Sequence, residues 1–188
     1  SAYLAKTTLR SLGEVFKGAK AIMDWLNELA HLISSANHPV MWVTPLGLPV
    51  VQPYRSTRKV QVKTVLQSVV LVQRRDQAPV SREKQKSAFP PNYVHSLDAT
   101  HMLLTARACK ADNIEFASVH DSYWTHAATV DAMNHHIRQQ FINLHSQPLL
   151  ETLYNTFKTL HPNVYLPPVP KQGSLDLKRV MKAPYFFD

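Results

Sequence analysis

The first part of the chain shows the spacing of one long amphipathic helix. Apolar residues recur every three or four positions from Leu9 to Ile33, and basic residues lie between them. We expect a break in this helix to fall near Gly13 or Gly18, and Asn37-His38-Pro39 end it. The basic residues are typical of a solvated face, and contact with phosphate groups is the alternative.

Two later stretches show patterns that are typical of β-strands. Residues 41–44 and 48–51 flank a Pro-Leu-Gly turn, which predicts a hairpin whose pairing is limited by Pro49. Residues 60–72 are rich in valine, and the first valines alternate with polar and basic residues. This alternation predicts a strand or a strand pair with one buried face and one basic face. The polar, basic residues 74–86 predict a flexible loop that could bind phosphate.

The remaining periodic segments predict helices. After two prolines, Asn92 is placed to cap a helix over residues 93–110, and further helices are expected over 127–145 and 148–160. Thr129 is the expected cap of the second helix. The packed face of the first helix is predicted from Met102, Leu103, Ala106 and Cys109. Four residues of the second helix are expected in solvent: His135, His136, Arg138 and His145.

Residues 114–126 read as two short strands with a charged pair at the turn between them. Phe116, Ala117 and Val119 suit a buried strand, and Tyr123-Trp124-Thr125 suits a second one. The carboxylate of Asp121 would then lie at the tip of a tight hairpin with water on one side. Such a group suits a hard cation such as Mg²⁺, which prefers oxygen ligands. The alternative is a turn residue that only caps its own backbone.

Composition narrows the class of partner. The chain has 188 residues, of which 45% are hydrophobic, and a formal net charge of +8, which favours a polyanionic partner such as a nucleic acid. A merely soluble basic protein remains the alternative. Cys109 is the single cysteine, so an internal disulfide is excluded and a reducing compartment is expected. No stretch approaches the roughly 20 apolar residues of a membrane span, so we expect no membrane partner.

The helix over residues 93–110 carries three residues that could do chemistry. His95, Asp98 and His101 are spaced so that successive pairs lie near one another on the helix surface. A single metal site is disfavoured because the three positions are spread along the helix. A structural hydrogen-bond network is the default interpretation for a histidine and aspartate pair.

Several motifs together resemble a known family. They are Trp42-Val43-Thr44-Pro45, Phe89-Pro90-Pro91-Asn92-Tyr93-Val94-His95-Ser96-Leu97-Asp98-Ala99-Thr100-His101, Val119-His120-Asp121-Ser122 and the ending Tyr185-Phe186-Phe187. In this order they resemble the C-terminal part of the single-subunit, bacteriophage-type RNA polymerases, nearest to the mitochondrial branch. The resemblance covers nearly the whole chain. The four motifs in this order are specific to the family, whereas the dipeptide His-Asp alone would be weak evidence.

The resemblance implies an α+β fold that is not complete on its own. It would be the C-terminal part of a right-hand polymerase, with a palm hairpin and flanking helices from the fingers and palm. We expect four segments: a long helix over 1–38, a β-rich segment and basic loop over 39–89, the palm helix, His-Asp hairpin and following helix over 90–147, and C-terminal helices with an aromatic tail over 148–188. In the family this tail folds back toward the active site, and its removal impairs activity.

The resemblance also implies template-directed RNA synthesis by a two-metal mechanism. Asp121 would hold Mg²⁺, and its partner aspartate, with the residues that bind nucleotide, would lie upstream of this chain. His95 would contact the minor groove beside the RNA 3′ end, where the base acceptors are largely sequence-independent. Asp98 would orient a neighbouring side chain. His120 would contact the product backbone or orient Asp121, and Ser122 would support the turn.

The partners implied are the DNA template, the RNA product, nucleoside triphosphates and mitochondrial transcription factors. We expect the mitochondrial matrix, with a plastid or phage relative as the alternative, and we expect this chain to be inactive alone. The chain begins within a predicted helix, so any targeting segment would lie upstream. Three other functions are possible: a non-catalytic nucleic-acid-binding module, a family-A DNA polymerase and a His/Asp metallohydrolase. In family-A DNA polymerases the residue after the aspartate is usually Glu, whereas this chain has Ser122. A metallohydrolase would need a compact set of metal ligands, which this sequence does not offer.

Overall fold

Helices and short hairpins alternate along the chain. The structure is a computed structural model that describes residues 2–73, 78–119 and 121–186, without the side chains of residues 2, 9, 58, 59, 72 and 73. The helices in these residues are α1 (Ala2–Val15), α2 (Lys17–Ser35), α3 (Arg82–Ala111), α4 (Val130–His145) and α5 (Leu149–Leu160). The strands are β1 (Met41–Val43), β2 (Pro49–Val51), β3 (Arg58–Lys63), β4 (Ser68–Gln73), β5 (Ala117–Val119) and β6 (Ser122–Trp124). Each consecutive pair of strands forms its own two-stranded sheet. This mixture of helices and strands confirms the expected α+β class.

The chain divides into two compact units. The first comprises Ser1–Met41, Val51–Pro90 and Lys158–Pro170, and the second comprises Trp42–Val50, Pro91–Phe157 and Lys171–Asp188. The segment boundaries expected after residues 38, 89 and 147 stay predictions. Among the described residues, none of the helices has the length and apolar content that crossing a membrane requires.

The core of the first unit is built on α2. The predicted break in the N-terminal helix is confirmed, because α1 and α2 are separated at Phe16. The indole nitrogen of Trp25 donates to the carbonyl of Pro167 at 3.1 Å. The helix ends as predicted, with Asn37 in the left-handed region at a φ of 61°. The fully buried stripe of α2 consists of Leu26, Leu29, Ala30 and Ile33.

The loop predicted over residues 74–86 is in part a helix, and it contains the buried residue Gln85. Residues 74–77 lie outside the described residues, but α3 already begins at Arg82, so the prediction is wrong from there on. Gln85 is 0% exposed, and its Oε1 accepts from the backbone of Val40 at 3.2 Å and from Gln52 Nε2 at 2.7 Å. Its Nε2 donates to the carbonyl of Gln52 at 2.8 Å. These bonds satisfy an amide that would otherwise cost about 1–3 kcal/mol to bury.

The helix α3 runs through Pro90 and Pro91 instead of starting after them. Asn92 is therefore an interior residue, and its predicted capping role is wrong. Each proline lacks the N–H that would bond the carbonyl four residues earlier, which leaves the carbonyls of Lys86 and Ser87 without helical donors. Both of those residues are exposed, so water can bond their carbonyls and the helix continues.

The hairpin of β3 and β4 confirms the strand pair predicted from the valine pattern. The ladder runs antiparallel from Arg58 opposite Gln73 to Lys63 opposite Ser68. The predicted buried face is wrong, because every side chain described from residue 60 to residue 71 is exposed. Alternation fixes which side chains share a face, but burial also needs a partner surface.

The second unit buries a mixed apolar and polar stripe of α3. Its apolar cluster consists of Cys109, Ile114, Met133 and Ile137. Of the predicted packed face of α3 only Cys109 is buried, and Leu103 is 40% exposed. Thr100 and Thr105 are buried instead, and their hydroxyls donate to the carbonyls four residues earlier at 2.7 and 2.9 Å. These internal bonds let polar residues occupy the buried face.

Candidate active site

The predicted hairpin around Asp121 is present and short. β5 and β6 pair antiparallel, with Val119 opposite Ser122, and Asp121 lies in the turn directly before β6. His120 lies outside the described residues. Asp121 is exposed, as expected for a carboxylate at the tip of a hairpin.

The two faces of this hairpin differ from the prediction. Ser118 and Tyr123 form a cross-strand pair and are half-buried, whereas Val119 and Trp124 are exposed. The prediction that Val119 belongs to a buried strand is therefore wrong. Since side chains alternate across a strand, Ala117 and Val119 share the face opposite to Ser118, and it is the Ser118 face that lies inward.

Tyr123 anchors the hairpin to the rest of the second unit. Its ring lies 5.2 Å from the ring of Phe116 in an edge-to-face arrangement and 6.5 Å from the ring of His101. Beyond β6, the Thr125 hydroxyl donates to the carbonyl of Glu115 at 2.6 Å, across the mouth of the hairpin. These contacts fix the strands that carry Asp121.

A cleft lies between α3 and the hairpin. It has a volume of about 590 Å³, and its lining includes His95, Asp98, His101, Asp121 and Tyr123. The helix and the turn therefore bring together four of the residues that the sequence singled out. His95, Asp98 and Asp121 are exposed, so polar atoms face solvent in the cleft. Ser122 lies at the start of β6, paired with Val119.

The pKa of Tyr123 reflects the charges around the cleft. Burial, together with the smaller effect of the negative charges of Asp98 and Asp121, raises the pKa of its phenol to about 12. Both carboxylates therefore lie close enough to Tyr123 to repel a phenolate. The phenol stays protonated at neutral pH, and the two acids give this side of the cleft a negative character that suits a cation.

His101 forms the inner wall of the cleft. It is 6% exposed, and its Nε2 lies 2.8 Å from the carbonyl oxygen of Ile137 on α4. A carbonyl oxygen only accepts, so Nε2 must carry the hydrogen. The His101 ring also meets the ring of Phe141 edge-on at 5.8 Å. These contacts give His101 a packing role in the wall of the cleft, and the hydrogen-bond network of the histidine and aspartate pair stays a prediction.

A second histidine lies behind this wall. The ring of His145 packs 4.3 Å from that of Phe141. Burial lowers the pKa of His145, proximity to His101 lowers it further, and Asp98 partly opposes the change. The expectation that His145 is solvated is wrong, because it is half-buried and packs on Phe141, four residues earlier on the same helix.

The donor set of the cleft fits one part of a magnesium site. Asp121 offers exposed carboxylate oxygens, and Asp98 offers a second carboxylate in the same cleft. Within the ranges that the structure describes, three or more His, Cys, Asp or Glu side chains do not converge on one point as a metal would require. A divalent ion at Asp121 would need ligands from beyond this set.

Sequence reasoning missed two residues of α4 that bind distant parts of the second unit. His136 Nε2 lies 2.8 Å from Asp112 Oδ2, and Arg138 Nη1 donates to the carbonyls of Val180 and Ala183. Both were expected in solvent, and of that group only His135 is exposed. Their partners lie 24 to 45 residues away, so no local spacing could have indicated them.

Comparison with known proteins gives a consistent result. A family described as DNA-dependent RNA polymerase matches residues 1–165. DNA-directed RNA polymerase 1, mitochondrial, from Nicotiana sylvestris is 51% identical over 186 residues, which are 99% of this chain and 18% of that protein. DNA-directed RNA polymerase 3, chloroplastic, from the same plant is 50% identical over 188 residues, 100% of this chain and 19% of that protein.

A third relative, DNA-directed RNA polymerase 2A from Nicotiana tabacum, is 49% identical over 186 residues, which are 99% of this chain and 55% of that protein. The chain therefore spans about a fifth of the length of the first two relatives and about half of the third. The match decides against the family-A DNA polymerase alternative. On this agreement of motifs, family match and identity along almost its whole length, the chain belongs to the DNA-dependent RNA polymerase family.

Proposed function

We propose that this chain supplies part of the active site of a DNA-directed RNA polymerase and serves template-directed nucleotidyl transfer. The observation that carries the proposal is the hairpin that holds Asp121, exposed, beside a cleft lined also by His95 and Asp98. Membership of the polymerase family and a formal net charge of +8 support a nucleic-acid partner.

Asp121 is the residue we assign to metal binding. In two-metal nucleotidyl transfer, paired Mg²⁺ ions activate the attacking 3′-hydroxyl and neutralise charge on the leaving pyrophosphate. Asp121 would supply one of the two carboxylates that bind these ions, and an aspartate upstream of this chain would supply the other. The pairing of β5 and β6 holds the backbone next to Asp121, so mainly the rotation of its side chain remains to be fixed when an ion binds.

The exposed residues of α3 are assigned to the nucleic acid. His95 would donate to the minor-groove acceptors N3 or O2 of the newest base pair, which are shared by most base pairs. Asp98, one helical turn further on, would orient a neighbouring side chain. His120 would contact the product backbone or orient Asp121, and Ser122 would support the turn.

The partners follow from this assignment. They are a DNA template, an RNA product and nucleoside triphosphates, with organellar transcription factors as further partners. The names of the relatives include both mitochondrial and chloroplastic polymerases. We propose the mitochondrial matrix as the location, and import assays with isolated mitochondria and plastids would distinguish the two.

The decisive experiment replaces Asp121 by Asn in the complete polymerase. The change keeps the size of the side chain but removes its charge, so RNA synthesis should fall by at least about a hundredfold. Template binding, followed by fluorescence anisotropy at one fixed salt concentration, should stay within about twofold. The matched control is Asp24→Asn, because Asp24 is an exposed aspartate on α2.

The outcomes separate catalysis from simple binding. Loss of synthesis in Asp121→Asn with an unchanged Asp24→Asn control supports a catalytic carboxylate. Synthesis that persists near the normal rate in Asp121→Asn would show that the chain acts as a non-catalytic nucleic-acid-binding module. A joint loss of template binding and synthesis would show that Asp121 acts through the fold.

A further inference from the structure

The guanidinium of Arg138 holds the backbone of the C-terminal segment, which we define as residues 177–186. Its Nη1 donates to the carbonyl of Val180 at 2.6 Å and to that of Ala183 at 2.7 Å. Its Nε donates to Asn134 Oδ1 at 2.7 Å, one turn earlier on α4. One side chain thus bonds two carbonyls of the segment while a neighbour fixes its own orientation.

Burial of the segment is only partial. None of the residues of its 3₁₀ helix, Leu177–Lys182, is fully buried, although Leu177, Val180 and Met181 are half-buried. Tyr185 is 86% exposed. Charge-assisted hydrogen bonds of the kind that Arg138 makes are stronger than bonds between neutral groups, so they add to the stability that this partial burial provides.

The same arginine also orders the one aromatic ring of the segment that faces inward. The guanidinium carbon of Arg138 lies 5.5 Å from the centre of the Phe186 ring, and that ring lies 5.0 Å from the ring of Phe141. Phe141 in turn lies 5.8 Å from His101, which lines the cleft beside Asp121. A continuous series of ring contacts therefore leads from the C-terminal segment to the wall of the cleft.

We propose that Arg138 is a positioning residue: by holding residues 180–186 against α4 it presses Phe186 on Phe141 and thereby fixes the His101 wall of the cleft. The proposal rests on the proposed function, since the cleft matters only if Asp121 acts in RNA synthesis. Arg138 touches none of the reacting groups, so its effect passes through the packing of Phe186 and Phe141.

Arginine suits this position better than lysine. Its planar group can donate in the plane to carbonyl oxygens and at the same time lie over an aromatic face. The ammonium of lysine is a compact point charge and does not reproduce both contacts from one position. Arg138→Lys should therefore restore part of the function that Arg138→Met removes.

The test uses the complete polymerase carrying Arg138→Met, Phe186→Ala or both. Each single change should lower kcat about tenfold while KM for nucleoside triphosphates changes less than about twofold, because positioning and not substrate binding is lost. The double variant should be no slower than the worse single variant, since both changes break the same series of contacts. Limited proteolysis should cut within residues 177–186 faster in Arg138→Met.

Two matched controls carry the same chemical losses on exposed positions. Arg179→Met removes a guanidinium from the C-terminal segment, and Tyr165→Ala removes a ring outside it; both residues are exposed. Neither should change kcat by more than about twofold. An equal loss of kcat in the controls would overturn the proposal, because kcat would then fall although the contacts of Arg138 are intact.

Three other results would also overturn it: independent, multiplicative losses in the double variant, unchanged proteolysis in Arg138→Met, or faster proteolysis with normal kcat. Should Arg138→Met give no folded polymerase by circular dichroism, Arg138→Lys takes its place, with an expected loss of about threefold. Proteolysis of the C-terminal segment reports on Arg138 even if Asp121→Asn leaves synthesis intact. Failure of the proposed function is therefore distinguishable from failure of this inference.

Discussion

The two hairpins β3–β4 and β5–β6 show that pairing and anchoring are separate properties. The β3–β4 ladder joins six residue pairs, and its described side chains from residue 60 to residue 71 are exposed. The β5–β6 ladder joins three pairs, yet Tyr123 packs on Phe116 and His101. The longer ladder has more hydrogen bonds, and the shorter one has the contacts that fix its position.

This difference bears on how a carboxylate is held at a turn. A two-stranded hairpin is only marginally stable by itself in water, so its position depends on packing against another surface. For β5–β6 that packing comes from one half-buried ring and one threonine hydroxyl that bonds Glu115. The rigidity of Asp121 should therefore depend on Tyr123 and Thr125 more than on the length of the ladder.

The largest effect is expected when the ring of Tyr123 is removed. Tyr123→Ala loses the edge-to-face contact with Phe116 and leaves a gap beside His101, so the free energy of unfolding should fall by about 2–3 kcal/mol. Hydrogen exchange of the complete polymerase measures the change as a free energy of local opening, and β5 and β6 should open first. RNA synthesis by the complete polymerase should fall as well.

The control for this prediction keeps the ring and removes only the hydroxyl. Tyr123→Phe should cost less than about 1 kcal/mol, because it keeps both ring contacts and removes only a neutral hydroxyl. If Tyr123→Ala were as mild as Tyr123→Phe, the anchoring role of the ring would be wrong.

A smaller effect is expected at Thr125. Its hydroxyl donates to the Glu115 carbonyl at 2.6 Å and lies 2.8 Å from the Thr129 hydroxyl, so Thr125→Val should cost about 1 kcal/mol in unfolding free energy. Thr125→Ser keeps the hydroxyl and should cost less. A larger loss in the serine variant would point to packing of the methyl group instead of the hydrogen bond.

These two hairpins also show what the sequence could predict. Alternating valines and the His-Asp turn predicted both hairpins, because strand pairing follows from local pattern and turn length. The buried face of β3–β4 was predicted wrongly, since exposure depends on what packs against a sheet and not on its alternation. In β5–β6 the packing of the hairpin likewise decides burial, so the polar residue Ser118 is half-buried while Val119 is exposed.

The candidate site was predictable in part. The motifs indicated His95, Asp98 and Asp121, and the structure places all three around one cleft. The supporting contacts were not predictable, because the carbonyl that bonds His101 lies 36 residues away and the one nearest to Arg138 lies 42 residues away. Such partners depend on how α4 packs, which no spacing within one helix reveals.

The helix α3 shows a failure of a local rule. Prolines normally begin helices, which suggested a start after Pro91, and Gln85 looked like part of a polar loop. The buried bonds between Gln85, Gln52 and Val40 stabilise the helical turn before the prolines. Tertiary hydrogen bonding therefore outweighed the local cost of two missing N–H groups.

A pH dependence is expected from the region behind β5–β6. Burial and the neighbouring His101 lower the pKa of His145. In the unfolded chain this histidine is protonated as the pH falls below its ordinary pKa of 6.5, whereas in the folded chain it stays neutral to a lower pH. The stability that His145 contributes is present above 6.5 and is lost as pH falls through the lower, folded value. Unfolding free energy should therefore decrease on acidification.

The measurement compares the wild-type chain with His145→Gln between about pH 7.5 and pH 5. The variant should show a smaller decrease, while His135→Gln, at an exposed position of the same helix, should match the wild type. His161, whose pKa is lowered by burial and by His38, contributes to both chains equally. An identical decrease in wild type and His145→Gln would contradict the prediction.

The smallest effect is expected on β3–β4, where a change on either face should matter little. Val69 is 40% exposed on the face that the pattern predicted as buried, and Val70 is 55% exposed on the other face. Val69→Thr and Val70→Thr should each change the unfolding free energy by no more than about 0.5 kcal/mol, because threonine keeps the branched shape and strand preference. Hydrogen exchange of β3 and β4 in the complete polymerase measures both. A cost above about 1 kcal/mol for Val69→Thr alone would show that this face is covered, and β3–β4 would then be anchored as β5–β6 is.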